Sequence, residues 1–265
     1  MEAVQNTREA AMDIKNCAAI ITGGGSGMGA EVARHLAKAG AKVALLDINI
    51  DSAEKVAADI GGIAIACDVT DEKSATVALE KAAAAHGVAR ILINCAGIAP
   101  GARIVGKDGA HDLGLFSKTI GVNLIGSFNM LRLAAHAMSS LEALNDDGER
   151  GIIINTASVA AYEGQIGQAA YAASKGGIVG MTLPAARELA RFGIRVVTIA
   201  PGLIETPMLA SMPQDVQDSL IATTLFPKRL GKPAEFAKLA LHIIDNALIN
   251  GETIRMDGAV RLAPK

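Results

Sequence analysis

Short, wholly apolar runs alternate along the chain with longer segments in which apolar residues recur every three or four positions. CAAIIT (17–22), KVALLDIN (42–49), 62–67, ARILIN (89–94), GIIINTAS (151–158) and 194–200 predict buried strands, and ETIRMDG predicts a last one. Between them, helical spacing starts at Ala30, with Val32, Ala33, Leu36 and Ala37 on one face. It recurs in DSAEKVAADI, 71–86, 113–138, the Ala-rich AAYAASKGGIVGM and 233–245, which opens on a proline. This alternation predicts an α/β fold, a single doubly wound (Rossmann) parallel seven-stranded sheet with helices on both faces. One domain is expected over residues 1–265, with 1–15 a polar tail and 208–226, an amphipathic segment between prolines, a substrate lid.

Two stretches break the pattern. Residues 98–112 (IAPGARIVGKDGAHD) have no period and read as a Gly-rich loop carrying Arg103, Lys107 and His111, either a solvated surface loop or a substrate-facing flap. Within 113–138, GVNLIGSFN interrupts the helix and sets Asn123 among Val122, Leu124 and Ile125, where a buried amide needs partners.

Residues able to do chemistry gather where the apolar runs end. Thr22, Gly23, Gly27 and Gly29 form T-G-x-x-x-G-x-G between a strand and a helix. That order presents free helix N–H groups to a pyrophosphate, although the spacing differs from G-x-G-x-x-G. Asp47 closes the second strand and is expected to accept ribose hydroxyls and repel a 2′-phosphate, while Asp51 is expected to cap the next helix. Asp68 and Val69 end the third strand, near where an adenine would lie. Asn94-Cys95-Ala96-Gly97 turns at the same edge, and Pro201-Gly202 sets a turn able to hydrogen-bond a nicotinamide amide. Tyr171 and Lys175, four apart, share a helix face, and the ammonium is expected to lower the phenol from its usual value of about 10. Ser158 falls just past the fifth strand. Together they supply a hydroxyl, a phenol and a cation for hydride exchange between an alcohol and a carbonyl. Gln165 and Gln168 lie between Ser158 and Tyr171, and are expected to line the substrate pocket, with Met208, Leu209 and Met212 of the lid. Arg103, Lys107, Lys228 and Arg229 are candidates for phosphates at the mouth.

Composition narrows the function classes. With 51% hydrophobic and 20% charged residues the chain can bury a large core. Aromatics at 3% and no tryptophan argue against base-stacking platforms, and a net charge of −2 gives no attraction to nucleic acid or acidic membranes. Cys17, Cys67 and Cys95 lack CxxC spacing and read as reduced core thiols, and the five histidines show no metal-ligand spacing, so no metal is expected. No uncharged apolar run reaches the roughly 18 residues of a membrane span, and 1–16 lack a signal region. A soluble, cytoplasmic protein is expected, with a mitochondrial location left open.

These motifs, in this order, resemble the short-chain dehydrogenase/reductase family across nearly the whole chain. INTASVAAYEGQIGQAAYAASKGGIVGMTLPAARELA, APGLIETPML and FPKRLGKPAEFA are similar to its type II 3-hydroxyacyl-CoA dehydrogenases, also described as multifunctional 17β-hydroxysteroid or 2-methyl-3-hydroxybutyryl-CoA dehydrogenases. The resemblance implies NAD as cofactor, an acyl-CoA thioester as substrate and a homotetramer. It implies that Tyr171 is the general acid/base, Ser158 holds the substrate oxygen, Lys175 binds the nicotinamide ribose and depresses the tyrosine pKa, and Asn123 holds a relay water. Gly23, Ser26, Gly27, Met28, Gly29, Asp47, Asp68, Val69, Asn94, Cys95, Ala96, Gly97, Pro201, Gly202, Ile204 and Thr206, with Tyr171 and Lys175, are the implied cofactor contacts. The flap at 98–112 departs from that subgroup in length and sequence. A hydroxysteroid or other secondary-alcohol dehydrogenase is the alternative enzyme, and a dinucleotide sensor or scaffold subunit the non-enzymatic one.

Overall fold

A computed structural model describes residues 12–264 apart from 108 and 211–213; the side chains of 208 and 215–218 also lie outside the described set. The expected tail therefore falls outside it up to residue 11, and so does Met212 of the expected lid.

Each apolar run becomes a strand: β1 (Ala18–Thr22), β2 (Lys42–Asp47), β3 (Ile63–Ala66) and β4 (Ile91–Asn94). A small antiparallel hairpin pairs β5 (Val105–Gly106) with β6 (Gly109–Ala110). β7 (Gly151–Thr156), β8 (Ile194–Pro201) and β9 (Thr253–Met256) complete the main sheet. Its order is β3-β2-β1-β4-β7-β8-β9, with every pairing parallel. β1, β4 and β7 are buried along their whole length, as expected of parallel strands covered on both faces.

Alternate residues of each strand face opposite cores. Ala19 and Ile21 of β1, with Val43 and Leu45 of β2, pack under α1 (Gly27–Lys38), α2 (Ile50–Ile60) and α9 (Pro233–Asp245), where Phe236 is fully buried. Ala18, Ile20, Ala44 and Leu46 face the other way, onto α3 (Glu72–His86), α5 (Gly126–Ser139) and α6 (Ala169–Leu189). Small residues on α3, namely Ala75, Ala78 and Ala82, let that helix lie close to the sheet. Each Ile or Leu so buried contributes about 1.5–3 kcal/mol, which explains how a chain so poor in aromatics holds together.

Several boundaries differ from the sequence expectation. The first helix begins at Gly27, because the glycine turn itself winds into it. Asn49 caps α2 by accepting from Ser52 N at 3.2 Å, and Asp51 sits in the first turn instead. Met12, expected in the polar tail, is buried against the α1 face of the sheet. The interruption near Asn123 is a π-helical turn, Gly121–Ile125, between α4 (Leu113–Ile120) and α5, with Gly126 N donating to Gly121 O. One added residue there is what breaks the 3.6-residue period. The lid region contains α7 (Pro207–Ala210) and α8 (Gln214–Ala222).

Candidate active site

The carboxyl ends of β1, β2, β3, β4, β7 and β8 open into one cleft of 970 Å³. It spans the point between β1 and β4 where the strand order reverses, the usual ligand crevice of an open α/β sheet.

One half of the cleft is built from the first three strands. Gly23 has φ +64°, and a Cβ there would come within 2.8 Å of Ala96 N, so only glycine lets the β1 turn lie against the turn after β4. Thr22 Oγ1 joins these turns by accepting from Cys95 N and Ala96 N, both at 3.2 Å. Ser26 stands at the N-cap position of α1 with extended backbone but makes no side-chain cap bond, and the first turn carries no acid. Its N–H groups and the positive end of the helix dipole are therefore available to an anion. Asp47 is held by Gly25 N and Asn49 N, each 2.9 Å from one carboxylate oxygen, and each oxygen keeps a lone pair for another donor. Asp68 accepts from Thr70, and Val69 is fixed through its carbonyl by Asn129 Nδ2 at 2.9 Å. An uncapped helix start, a glycine turn with no room for side chains and a fixed carboxylate form a donor and acceptor set that fits a dinucleotide.

The other half holds Ser158, Tyr171 and Lys175. Ser158 Oγ lies just beyond β7 and accepts from Ala160 N at 3.1 Å, capping the short 3₁₀ turn Val159–Ala161. One turn of α6 separates Tyr171 from Lys175, whose Nζ lies 5.7 Å from the phenol ring centroid. Nζ also donates to Thr156 O at 2.7 Å, across the end of β7. Burial pushes the Lys175 ammonium down to about 8. Burial raises Tyr171 above its ordinary value, against hydrogen bonding from Ser158, so the net lowering expected from Lys175 does not appear. In a closed site the cost of desolvating a phenolate outweighs an ammonium that is itself bound to a carbonyl. Cys95, on the same wall, is pushed up by burial to about 11 and is a neutral thiol.

Most of the expected cofactor contacts line the cleft: Gly23, Ser26, Gly27, Met28, Gly29, Asp47, Asp68, Val69, Cys95, Ala96, Gly97, Pro201, Gly202, Ile204 and Thr206. Two expected residues do not. Asn94 is buried beneath the floor, and its side chain donates to Asn155 Oδ1 at 2.9 Å and Ser127 O at 3.3 Å, tying β4 to β7 and α5. Asn123 is fully buried in the π turn. Its Oδ1 accepts from Ile98 N, and its Nδ2 donates to Ile98 O and Ser174 Oγ, all within 2.9 Å. That amide clamps the loop after β4 onto α6, and the Asn123 carbonyl accepts from Ser127 Oγ at 2.7 Å.

Gln165 and Gln168 both line the cleft. Gln168 is the residue before α6 and accepts from Gln165 N at 3.2 Å, while Gln165 Nε2 donates to Ala263 O at 3.1 Å. Leu209 lines the lid side. Among the cations, Arg229 is committed to Glu235 through two 2.8 Å bonds, whereas Arg103 lines a side cavity that shares Gln165 and Gln168 with the cleft. Lys118, Leu262 and Ala263 line the cleft without having been singled out in the sequence. Lys118 sits one turn before Val122, so its i, i+4 spacing was a usable signal. The segment past β9 has no period to read. Among the described residues no group of three His, Cys, Asp or Glu is placed to hold a metal ion, and no helix is long and apolar enough to cross a membrane.

Comparison with known proteins places this geometry among relatives. The family profile described as short chain dehydrogenase matches residues 17–217. The chain is 48% identical to the 3-hydroxyacyl-CoA dehydrogenase type-2 of Drosophila melanogaster over 95% of its own length and 100% of that protein. The crystal structure of 3-hydroxyacyl-CoA dehydrogenase type-2 from Mycobacterium avium superposes with a TM-score of 0.89 at 41% identity, covering 94% of this chain and 98% of that one. A 3-ketoacyl-(acyl-carrier-protein) reductase from Brucella melitensis, complexed with NADH, superposes at 0.82 with 30% identity, covering 94% and 100%.

Proposed function

Since this chain belongs to the short chain dehydrogenase family, we propose that it is an NAD-dependent dehydrogenase interconverting a 3-hydroxyacyl-CoA and its 3-oxoacyl-CoA. The observation that carries this reading is the meeting of Ser158, Tyr171 and Lys175 in the cleft whose other half fits a dinucleotide. Bound NAD supplies the hydride acceptor for oxidation and, when reduced, the donor for the reverse direction. Ser158 Oγ hydrogen-bonds the substrate oxygen at C3 and aims it at Tyr171. As the C3–H bond breaks, the phenolate form of Tyr171 takes the hydroxyl proton and becomes the phenol; in reduction the phenol returns it. Lys175, fixed by Thr156 O, binds the ribose next to the nicotinamide and supplies the positive charge that stabilises the phenolate in either direction. Gln165 or Gln168 offers an amide N–H to the thioester carbonyl, and Arg103 in the adjoining side cavity meets coenzyme A phosphates. Asp47 supports NAD over NADP, because a 2′-phosphate beside it meets like charge. The homotetramer is carried over from the resemblance alone.

A steady-state panel tests the reading: NAD and NADP, each against short 3-hydroxyacyl-CoAs, the matching free acids and hydroxysteroids. The thioesters with NAD are expected to give the highest kcat/KM, with their advantage over free acids shrinking at high salt. A free acid or a hydroxysteroid on top would overturn the acyl-CoA assignment and leave the dehydrogenase.

A further inference from the structure

The chain after β9 reverses direction and returns to the cleft. Gly258 (φ +59°) and Ala259 (φ +63°) are consecutive left-handed residues. A Cβ on Gly258 would lie 3.0 Å from Phe226 O, so close packing requires glycine there. Ala259 has no such need and is strained by its own Cβ, which persists only where surrounding contacts over-determine the turn. Those contacts are present. Val260 is fully buried, and Ala259 N donates to Asp257 Oδ1 at 3.0 Å.

Beyond the turn, a charged latch holds the segment against the stretch that joins Ser158 to Tyr171. Arg255 of β9 forks onto Glu163, with Nη1 and Nη2 at 2.7 and 3.2 Å from its two oxygens. The same guanidinium reaches Asp257 at 2.8 Å and Val260 O at 3.1 Å, and lies over the Tyr162 ring, 5.2 Å from its centroid. Glu163 in turn accepts from Leu262 N at 3.2 Å. Two further bonds close the seam: Gln165 Nε2 to Ala263 O at 3.1 Å and Ile166 N to Pro264 O at 3.0 Å. The consequence is that Leu262 and Ala263 form part of the cleft wall on the side of Gln165, Gln168 and Tyr171.

From this arrangement we infer that residues 257–264 are a fixed wall of the substrate half, that Leu262 limits the bulk of the substituent admitted beside the reacting carbon, and that Glu163 and Arg255 are positioning residues acting through it. The inference rests on the proposed reading only in taking the Ser158–Tyr171 end of the cleft as the substrate end. The wall and the lid differ in how they are held. Among the described residues the lid side reaches the cleft through Leu209, Ser219, Leu220 and Thr223 and meets the wall where Phe226 packs against Gly258, whereas the wall is hydrogen-bonded to the stretch that carries the two glutamines. A side chain so held acts by exclusion, and a few methylenes in an apolar pocket change discrimination by about 10–200-fold.

The test compares wild type, Leu262→Ala and Glu163→Gln on substrates graded in bulk: straight and 2-methyl-branched 3-hydroxyacyl-CoAs of rising length, and a parallel set of simple secondary alcohols and hydroxysteroids. Leu262→Ala is expected to raise kcat/KM for the bulkiest members relative to the smallest by about tenfold, with the KM for NAD unchanged. Glu163→Gln is expected to shift the profile in the same direction through higher KM for small substrates, with kcat largely kept; a merely structural role would lower Tm and move all substrates together. Parallel profiles for wild type and Leu262→Ala, on whichever class the wild type turns over, would overturn the wall. An unchanged profile in Glu163→Gln would remove the latch from specificity. Failure of the acyl-CoA reading looks different, since the wild type itself would then prefer the second substrate set.

Discussion

At the scale of single residues, Lys175 shows most sharply how the site trades stability for chemistry. Its ammonium is 5% exposed and is lowered from 10.5 to about 8 by burial, a difference worth roughly 3 kcal/mol against folding while the group must stay charged. The sign follows from linkage. Between about pH 8 and 10.5 the unfolded chain binds a proton that the folded chain has released, so stability rises with pH there, and the full penalty applies below 8. Lys175→Met removes that penalty and loses one hydrogen bond to Thr156 O, worth about 1 kcal/mol. The variant is therefore expected to melt a few degrees higher than wild type at pH 7, with the gap narrowing as pH rises from 8 toward 10, and to be inactive. Thermal melts across that range, without cofactor, check it; a Tm below wild type at pH 7 would contradict the account. Tyr171→Phe serves as its companion, expected to lose at least about 100-fold in kcat while NAD binding, read by titration, stays near wild type.

At the scale of elements, sequence reading worked wherever burial is complete and failed where a tertiary partner decides. Strands buried on both faces, such as β1, β4, β7 and β8, appear as unbroken apolar runs, whereas the half-buried edge strands β3 and β9 were marked by their place between helical segments. The π turn was visible only as a break, because adding one residue to a helix leaves no compositional mark. What Asn94 and Asn123 touch was also illegible: their partners, Asn155, Ser127 and Ser174, lie far along the chain. The end of β2 was easier, since an acid after an apolar run has few structural reasons to be there. Asp47 does have one, because its oxygens hold Gly25 N and Asn49 N. Asp47→Ala therefore removes a ligand contact and loosens the glycine turn together. It is expected to lower kcat/KM with NAD by about 10-fold or more and with NADP far less, since the like charge leaves too. Equal losses with both cofactors would mean that Asp47 only braces the turn.

At the scale of the whole molecule, the parallel doubly wound sheet and the place of the cleft at its carboxyl edge followed from the alternation of runs, whereas the ties between distant segments did not. Arg195 looks from its sequence like a polar interruption of β8 with no assigned purpose. In the fold it is buried and bonds Glu149 Oε1 at 2.8 Å, the residue two before β7. Its remaining N–H groups satisfy Ile243 O and Ile244 O at 2.7 Å, Ile249 O at 3.1 Å and Asn246 O at 3.2 Å, the open carbonyls at and beyond the end of α9. One side chain thus joins the central sheet, the connector before β7 and the helix that covers α1. Removing it leaves a buried carboxylate without its cation and several carbonyls without donors. Breaking such a pair costs about 3–5 kcal/mol, a loss that a conservative Arg195→Lys cannot repair, because an ammonium lacks the fork. Arg195→Met is accordingly expected to lower Tm by roughly 6–20 °C in a chain of this size. At 25 °C the surviving folded enzyme should keep its kcat/KM within about twofold, since nothing bonded to Arg195 borders the cleft. A melt within a degree of wild type would refute the assigned role, and a large fall in kcat/KM with an unchanged melt would show that the sheet end transmits this position to the site.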